Sequence, residues 1–295
     1  MEFDYQYNPY PSTRQTIFGR KGMVATSQPL AAQAGLDILK KGGNAVDAAI
    51  AAAAALTVVE PTSNGIGGDA FALVWMKDKL YGLNASGPSP QSISIEAVKE
   101  RGFENMPAHG MIPVTVPGAP AAWAELSERF GKLSLSEVLR PAIQYAEEGY
   151  PVSPVLAASW NAAFKRYKKE LITKEYEAWF TTFAPNGRAP KAGEIWRSPH
   201  HADTLRKLAE SNGESFYHGE LAEKISDFSI KNQGFLSLDD LNSYRPQWVE
   251  PISVNYRGYD VWEIPPNGQG IVTLSALNIV KGFRFSRERG SGHLS

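Results

Sequence analysis

The sequence predicts a mixed α/β domain, and three observations carry that prediction. Residues 45–59 form an alanine-dense apolar stretch that reads as a buried helix. A polar, glycine-rich turn at residues 62–69 leads into two short apolar runs, at 71–75 and 80–83, that read as a hairpin. Beyond Pro90 the apolar spacing is mainly helical, and strand-like alternation of Val, Tyr and Trp returns at residues 254–264.

In chain order, residues 1–20 mix Tyr, Pro, Asn and Arg without a period and are expected to form an arm over the surface. Gly22-Met23-Val24-Ala25-Thr26 reads as a strand. Ser27 is a good N-cap and Pro29 suits a first helical turn. Ala32, Leu36 and Leu39 then share one helical face, and Gly42-Gly43 supplies a left-handed stop. Asn44 caps the next helix, with Asp47 in its first turn favoured by the helix dipole. Alanine on nearly every side of residues 48–55 lets neighbouring backbones approach, which marks a central packing helix. Its apolar run, interrupted by Asp47 and Thr57, falls short of the about 20 residues a bilayer span needs, so no membrane partner is expected.

Lys77-Asp78-Lys79 turns the first strand into the second. Further helices are expected near 120–130, 136–148, 155–170, 200–211 and 271–280, punctuated by prolines such as Pro117, Pro141 and Pro151. Residues 184–190 form a loop and residues 265–270 a turn.

Composition removes several functions. Lysine plus arginine (30) nearly balances aspartate plus glutamate (31), so no basic field for nucleic acid exists. The absence of cysteine rules out disulfides, zinc–thiolate sites and a cysteine nucleophile. Residues 1–5 have an acidic flank and no apolar run, so the expected location is cytoplasmic. His109, His200, His201, His218 and His293 show no metal-ligand spacing, and neither metal nor cofactor is expected. No Gly-x-Ser-x-Gly elbow is present to anchor a hydrolase triad.

Two turns are candidate sites. Gly65-Ile66-Gly67-Gly68-Asp69-Ala70 resembles a dinucleotide fingerprint, but a helix enters it and a strand leaves, the reverse of the order that aims a helix N-terminus at phosphates. Its glycines suit a tight backbone crossing beside a substrate pocket. Residues 265–270 do run from strand to helix, so their amides either hold an anionic group or form a plain turn.

A wider pattern then emerges. Gly42-Gly43-Asn44-Ala45-Val46-Asp47-Ala48-Ala49, Gly65-Ile66-Gly67-Gly68, Val114-Thr115-Val116-Pro117-Gly118 and Arg129-Phe130-Gly131-Lys132-Leu133 occur in order. They are followed by Pro185-Asn186-Gly187-Arg188-Ala189-Pro190, Phe216-Tyr217-His218-Gly219 and Pro265-Pro266-Asn267-Gly268-Gln269-Gly270. Together they resemble the large-subunit region of the γ-glutamyltransferase family over residues 21–282. The resemblance implies an N-terminal-nucleophile hydrolase, an αββα sandwich, made as a proenzyme that cuts itself to expose a threonine on a C-terminal small subunit. That threonine attacks the amide carbonyl of a small-molecule substrate, with its own α-amine as base. The implied partner is therefore the small subunit, and no catalytic residue is expected in this chain.

Two departures from the family pattern follow. Family members that use glutathione place an arginine in an Asp-x-Arg-Glu motif that grips the γ-glutamyl carboxylate, and the matching stretch here puts Ser86 at that position. Serine cannot form a bidentate charged pair, so a non-γ-glutamyl amide or acylated amine is the expected substrate. Ser86 is thus the candidate substrate-binding residue, with Asn84, Gly67, Gly68, Asn267 and Gly268 as pocket or turn candidates. Residues 283–295 diverge from the family, and a shortened, non-catalytic remnant acting as a binding protein is the alternative expectation.

Overall fold

The structure is a computed structural model that describes residues 16–283. The expected arm at 1–20 and the divergent tail at 283–295 fall largely outside the described residues.

The fold is built around two consecutive helices, α1 (Pro29–Lys40) and α2 (Ala45–Val59). The cap of α1 is Gln28 and not Ser27. Pro29 has no N–H to offer, so the cap must reach Leu30 and Ala31, which the longer Gln28 side chain does. Ser27 instead donates to the Glu60 carboxylate at 2.6 Å. The expected strand at residues 22–26 is absent. No neighbouring strand pairs with it among the described residues, and Val24 packs directly against Gly35 of α1. Gly35 also lets α1 meet α2, because a Cβ there would sit 3.0 Å from the Ala48 carbonyl oxygen.

As expected from its alanines, α2 is central: Ala51, Ala54, Ala55, Val58 and Val59 are wholly buried. It packs against α1, α4 (Ala119–Phe130) and α5 (Leu135–Glu148). Pro141 falls inside α5 without ending it, and Ser134 with Glu137 forms a capping box at its start.

The N-terminus of α2 is tied to its neighbours by Asp47, which is fully buried. Its carboxylate accepts from the Asn44 backbone N–H at 2.8 Å and, through both oxygens, from the Lys132 N–H at 3.1 Å. Asn44 donates in turn to the Phe130 carbonyl at 2.6 Å. Two amides and the helix dipole thus stabilise a buried charge that forms no ion pair among the described residues.

The hairpin forms as predicted. β1 (Ala70–Met76) and β2 (Lys79–Ala85) pair antiparallel through Lys77-Asp78, both at positive φ, the handedness a two-residue hairpin turn requires. β2 is the middle strand, because β5 (Gln247–Val249) pairs with its other edge, Asn84 opposite Gln247. Ala72, Val74 and Met76 lean on the helical core, while Phe71, Leu73 and Trp75 face the other way and are exposed.

The five helices expected beyond Pro90 are present, as α4, α5, α6 (Pro154–Glu170), α8 (Pro199–Glu210) and the helix at residues 270–280. Unforeseen are the short α3 (Ile95–Glu100), α7 (Glu177–Phe183) and α10 (Leu238–Ser243), the full-length α9 (Glu220–Lys231), and the two-residue pair β3 (Tyr150–Pro151) and β4 (Ile195–Trp196). The strand expected at 254–264 is a hairpin, β6 (Ile252–Tyr256) with β7 (Tyr259–Glu263). Arg257-Gly258, both at positive φ, reverses the chain there. α11 (Gly270–Val280) packs against this hairpin.

Replacing Asp47 with Ala leaves its amide donors unpaired in the core, and hydrogen bonds to a charged group each contribute about 1.5–3 kcal/mol. Asp47→Ala is therefore expected to lower the unfolding free energy by about 3 kcal/mol, and Asp47→Asn by less. Urea denaturation followed by circular dichroism measures both, and equal midpoints for Asp47→Ala and wild type would refute the assignment.

Candidate substrate-binding site

Three of the residues singled out in the sequence meet at one place. Ser86 follows the end of β2, and its backbone N–H donates to Asn84 Oδ1 at 3.0 Å, a local turn that fixes both side chains. Asn267 arrives from the turn before α11. Asn84 Nδ2 donates to Asn267 Oδ1 at 2.8 Å, and Asn267 Nδ2 donates to Ser86 Oγ at 2.9 Å. Neutral amides and a hydroxyl thus join segments far apart in the chain.

This cluster lines a cavity of about 350 Å3, whose other walls include Ser243, Tyr244, Arg245 and Gln247. Gln247 is there because β5 pairs with β2. Burial pushes the Tyr244 phenol up to about 12, so it stays a neutral donor at any physiological pH. No histidine, aspartate or glutamate lines this cavity, so nothing in it activates Ser86 as a nucleophile. The arrangement offers hydrogen-bonding groups without a nucleophile–base pair.

The tight backbone crossing lies at Gly87 and Gly118. A Cβ on Gly87, which has φ of 57°, would lie 1.8 Å from the Val116 carbonyl oxygen, and one on Gly118 1.9 Å from that of Ala85. Gly68 contributes its carbonyl, which accepts from the N–H groups of Gly118 and Ala119 at 2.9 and 3.0 Å and so caps α4. Gly67 has open space where a Cβ would be and lines a different, apolar cavity. A Cβ on Gly268 would lie 3.7 Å from the Phe71 ring, and this residue too is outside the Ser86 cavity. At residues 265–270 the Glu263 carboxylate packs against Gly270, so the chain's own anion stands at the start of α11. As the sequence predicts, the Gly65–Gly68 run leads from a helix into a strand, the wrong order for a dinucleotide site.

Tyr244, Arg245 and Gln247 gave no signal in the sequence. They follow a short polar helix and run into a three-residue strand that begins at Gln247, and only the β2–β5 pairing brings them to Ser86. A second cavity, of about 650 Å3, is mostly apolar, with Phe216, Ile225 and Leu236 in its wall. His201 lies on it and pairs with Thr57 Oγ1 at 3.1 Å. The Thr57 hydroxyl donates to the Ala54 carbonyl, so His201 Nε2 is the donor of the pair. Part of the His201 ring stays accessible, yet the surrounding protein desolvates it and brings its pKa down to about 4. Among the described residues no group of three His, Cys, Asp or Glu side chains converges as a metal site would.

Known proteins share this fold. The family model described as gamma-glutamyltranspeptidase matches residues 31–293. The chain is similar to the glutathione hydrolase-like YwrD proenzyme of Bacillus subtilis, 38% identical over 283 residues that cover 94% of this chain and 52% of the relative. It is also similar to the acylase ACY 1 proenzyme of a Pseudomonas strain, 34% identical, covering 90% of this chain and 48% of that protein. Among solved structures, a cephalosporin acylase from Bacillus halodurans superposes with a TM-score of 0.92 at 66% identity, over 97% of this chain and 53% of that one. Helicobacter pylori gamma-glutamyltranspeptidase gives 0.85 at 29% identity, over 94% of this chain and 79% of that one. The chain spans about half the length of the curated relatives it matches. Its fold class is the mixed helix-and-sheet fold of the N-terminal-nucleophile hydrolases, as the sequence resemblance implies.

The desolvated His201 makes stability depend on pH. Its folded pKa of about 4 lies below the ordinary 6.5, so the unfolded chain binds the proton more readily. This contribution is fully present above pH 6.5 and is lost as the pH falls from there towards 4. A His201→Gln variant, which keeps an N–H for Thr57 but cannot titrate, should lose less stability over that interval than wild type. Thermal unfolding at a series of pH values tests it, and parallel curves for the two proteins would count against the assignment.

Proposed function

We propose, from the premise that the chain belongs to the gamma-glutamyltranspeptidase family, that it is the large-subunit part of an amide hydrolase or acyltransferase for acylated amines other than γ-glutamyl compounds. The observation that carries the substrate reading is the neutral cluster of Asn84, Ser86 and Asn267 where glutathione-using members of the family present an arginine. A guanidinium would grip a γ-glutamyl carboxylate with two charged hydrogen bonds, and Ser86 offers one neutral hydroxyl.

The nucleophile of this reading is a threonine at the head of a C-terminal small subunit, the partner that the proenzyme relatives suggest. Its hydroxyl adds to the amide carbonyl while its α-amine, with an ordinary pKa of about 7.7–8.0, takes the proton and passes it to the departing amine. Water or an acceptor amine then releases the acyl group. This chain supplies the acyl pocket and one face of the sheet on which the partner would pack. The exposed Phe71, Leu73 and Trp75 of β1, with Trp262 on the β6–β7 hairpin and Ile271, Val272 and Ile279 on α11, support such a partner.

The chain co-expressed with a threonine-led C-terminal segment from a close relative should hydrolyse acyl p-nitroanilides, and do so faster with a simple acyl group than with γ-glutamyl. Ser86→Arg should raise affinity for γ-glutamyl substrates roughly tenfold to a hundredfold, the equivalent of one charged hydrogen bond. Rapid glutathione hydrolysis by the unaltered assembly would sink the substrate reading, and no amidase activity on any substrate would sink the enzymatic one.

A further inference from the structure

The apolar cavity has no task in the reading above, and its wall contains the start of α8. Ser198, the residue before α8, lines it together with His200 and His201 of the first turn. The rest of the wall is mainly apolar and comes from α9 and the segments beside it. A volume of about 650 Å3 falls within the roughly 300–1,000 Å3 of small-molecule pockets. No aspartate or glutamate lines this cavity, and the Lys224 ammonium of α9 stands at its wall.

The first turn of α8 has donors to spare. Pro199 has no N–H, and the Ala202 N–H makes the first bond of the helix, to the Ser198 carbonyl at 3.0 Å. Between them the N–H groups of His200 and His201 find no acceptor among the described residues. Ser198 could cap them but does not. Its backbone is anchored, because its own N–H donates to the Ala146 carbonyl at 2.8 Å. The residue is only 6% exposed, and its hydroxyl has no hydrogen-bond partner among the described residues. The oxygen nonetheless keeps contact with open space, unlike the sealed orphan hydroxyls of Tyr150, Ser229 and Tyr244. The open space beside it is this cavity. Buried hydroxyls are normally paired, and this one stands free next to two free amides.

Two amides and a hydroxyl at the positive end of a twelve-residue helix suit an anion that only accepts. A carboxylate does so with both oxygens. The His201 ring is committed to Thr57 through Nε2, so this residue offers its backbone N–H. Lys224 adds positive charge at the wall, although it also pairs with Glu220 on its own helix. The apolar walls then specify what the carboxylate is attached to. An ammonium group would find no counter-charge there, which disfavours a zwitterion and favours an alkyl or aryl body.

We propose that the cavity beside α8 binds a small carboxylic acid with an apolar body, its carboxylate held by the Ser198 hydroxyl and the His200 and His201 N–H groups. This site shares no wall residue with the Ser86 cavity and does not rest on the amidase reading.

Sodium octanoate, titrated into the isotopically labelled 295-residue chain and into its assembly with the C-terminal segment, tests this by amide NMR. Shifts are expected at residues 198–204 and 221–228 in both forms. Acetate, which lacks the apolar body, and 1-octanol, which lacks the charge, should each bind about tenfold more weakly or worse. Ser198→Ala should weaken octanoate about tenfold, leave octanol unchanged and keep Tm, since it removes a hydroxyl with no protein partner. Lys224→Glu, a change at an exposed position, should weaken octanoate several-fold and also spare octanol. An acid-specific loss in two folded variants is an outcome that general damage would not give. Octanoate shifts that are absent or lie elsewhere, octanol binding as tight as octanoate, or full octanoate affinity in Ser198→Ala overturns the site. Binding by the chain that the assembly abolishes also overturns it, because the cavity is then part of a subunit interface. An assembly that binds octanoate through Ser198 but hydrolyses nothing upholds the site and overturns the amidase reading.

Discussion

Close packing of α2 is the constraint on which the other elements depend. A helix with alanine on most faces can be approached by other helices from several directions at once, and α1, α4 and α5 all do so. Alanine contributes little burial per residue, so the helix is held by contact distance and by polar ties at its N-terminus. There Asn44 Oδ1 accepts from the orphan amides of Val46 and Asp47, and the Asp47 carboxylate joins the Asn44 N–H to that of Lys132 in the loop between α4 and α5. The end of α4 just before that loop places Phe130 against Tyr81 of β2 and Trp248 of β5, and Arg129 stacks on that Trp248 ring. Fixing the start of α2 therefore also fixes the sheet.

Legibility in the sequence followed the range of the forces involved. The α2 cap and capping acid, the β1–β2 hairpin and the longer helices were readable, because caps, turns and amphipathic spacing act within a few residues. The strand expected at residues 22–26 failed for the opposite reason: apolar alternation there serves packing of Val24 on α1, and strand character needs a partner that periodicity cannot supply. Likewise β5 is too short to announce itself, and its existence depends on the free edge of β2. At the site, Ser86, Asn84 and Asn267 were visible only because their motifs resemble those of a family. Tyr244 and Arg245 lie outside any such motif and became visible only once strand pairing had placed them.

The described residues also carry an asymmetry that bears on assembly. The helical layer covers one face of the β1–β2–β5 sheet, and alternate residues of β1 turn Phe71, Leu73 and Trp75 away from it. Single exposed apolar residues are ordinary on protein surfaces, but a row of large ones along one strand is not. Because the side-chain period of a strand is two, these residues cannot be buried by adjusting β1 itself without exposing Ala72, Val74 and Met76. Covering them takes a second layer, which is what an αββα sandwich has and what these elements alone do not form.

The same period-two logic sets the chemistry of the cavity. Asn84 stands opposite Gln247 in the β2–β5 register, between the buried Leu83 and Ala85. A slip of one residue would bury Asn84 among the helices and turn Leu83 into the cavity, so the apolar core beneath the sheet enforces the polar wall above it. Gly87 and Gly118 act in the same direction: carbonyls less than 2 Å from where their Cβ atoms would lie press the chain after β2 against the start of α4. Side chains near Ser86 are thereby held from below by packing and from the side by backbone contact. Hydrogen bonds to Asn267 then need only orient groups already in place, which is why a cluster of neutral, partly exposed residues can keep a defined geometry.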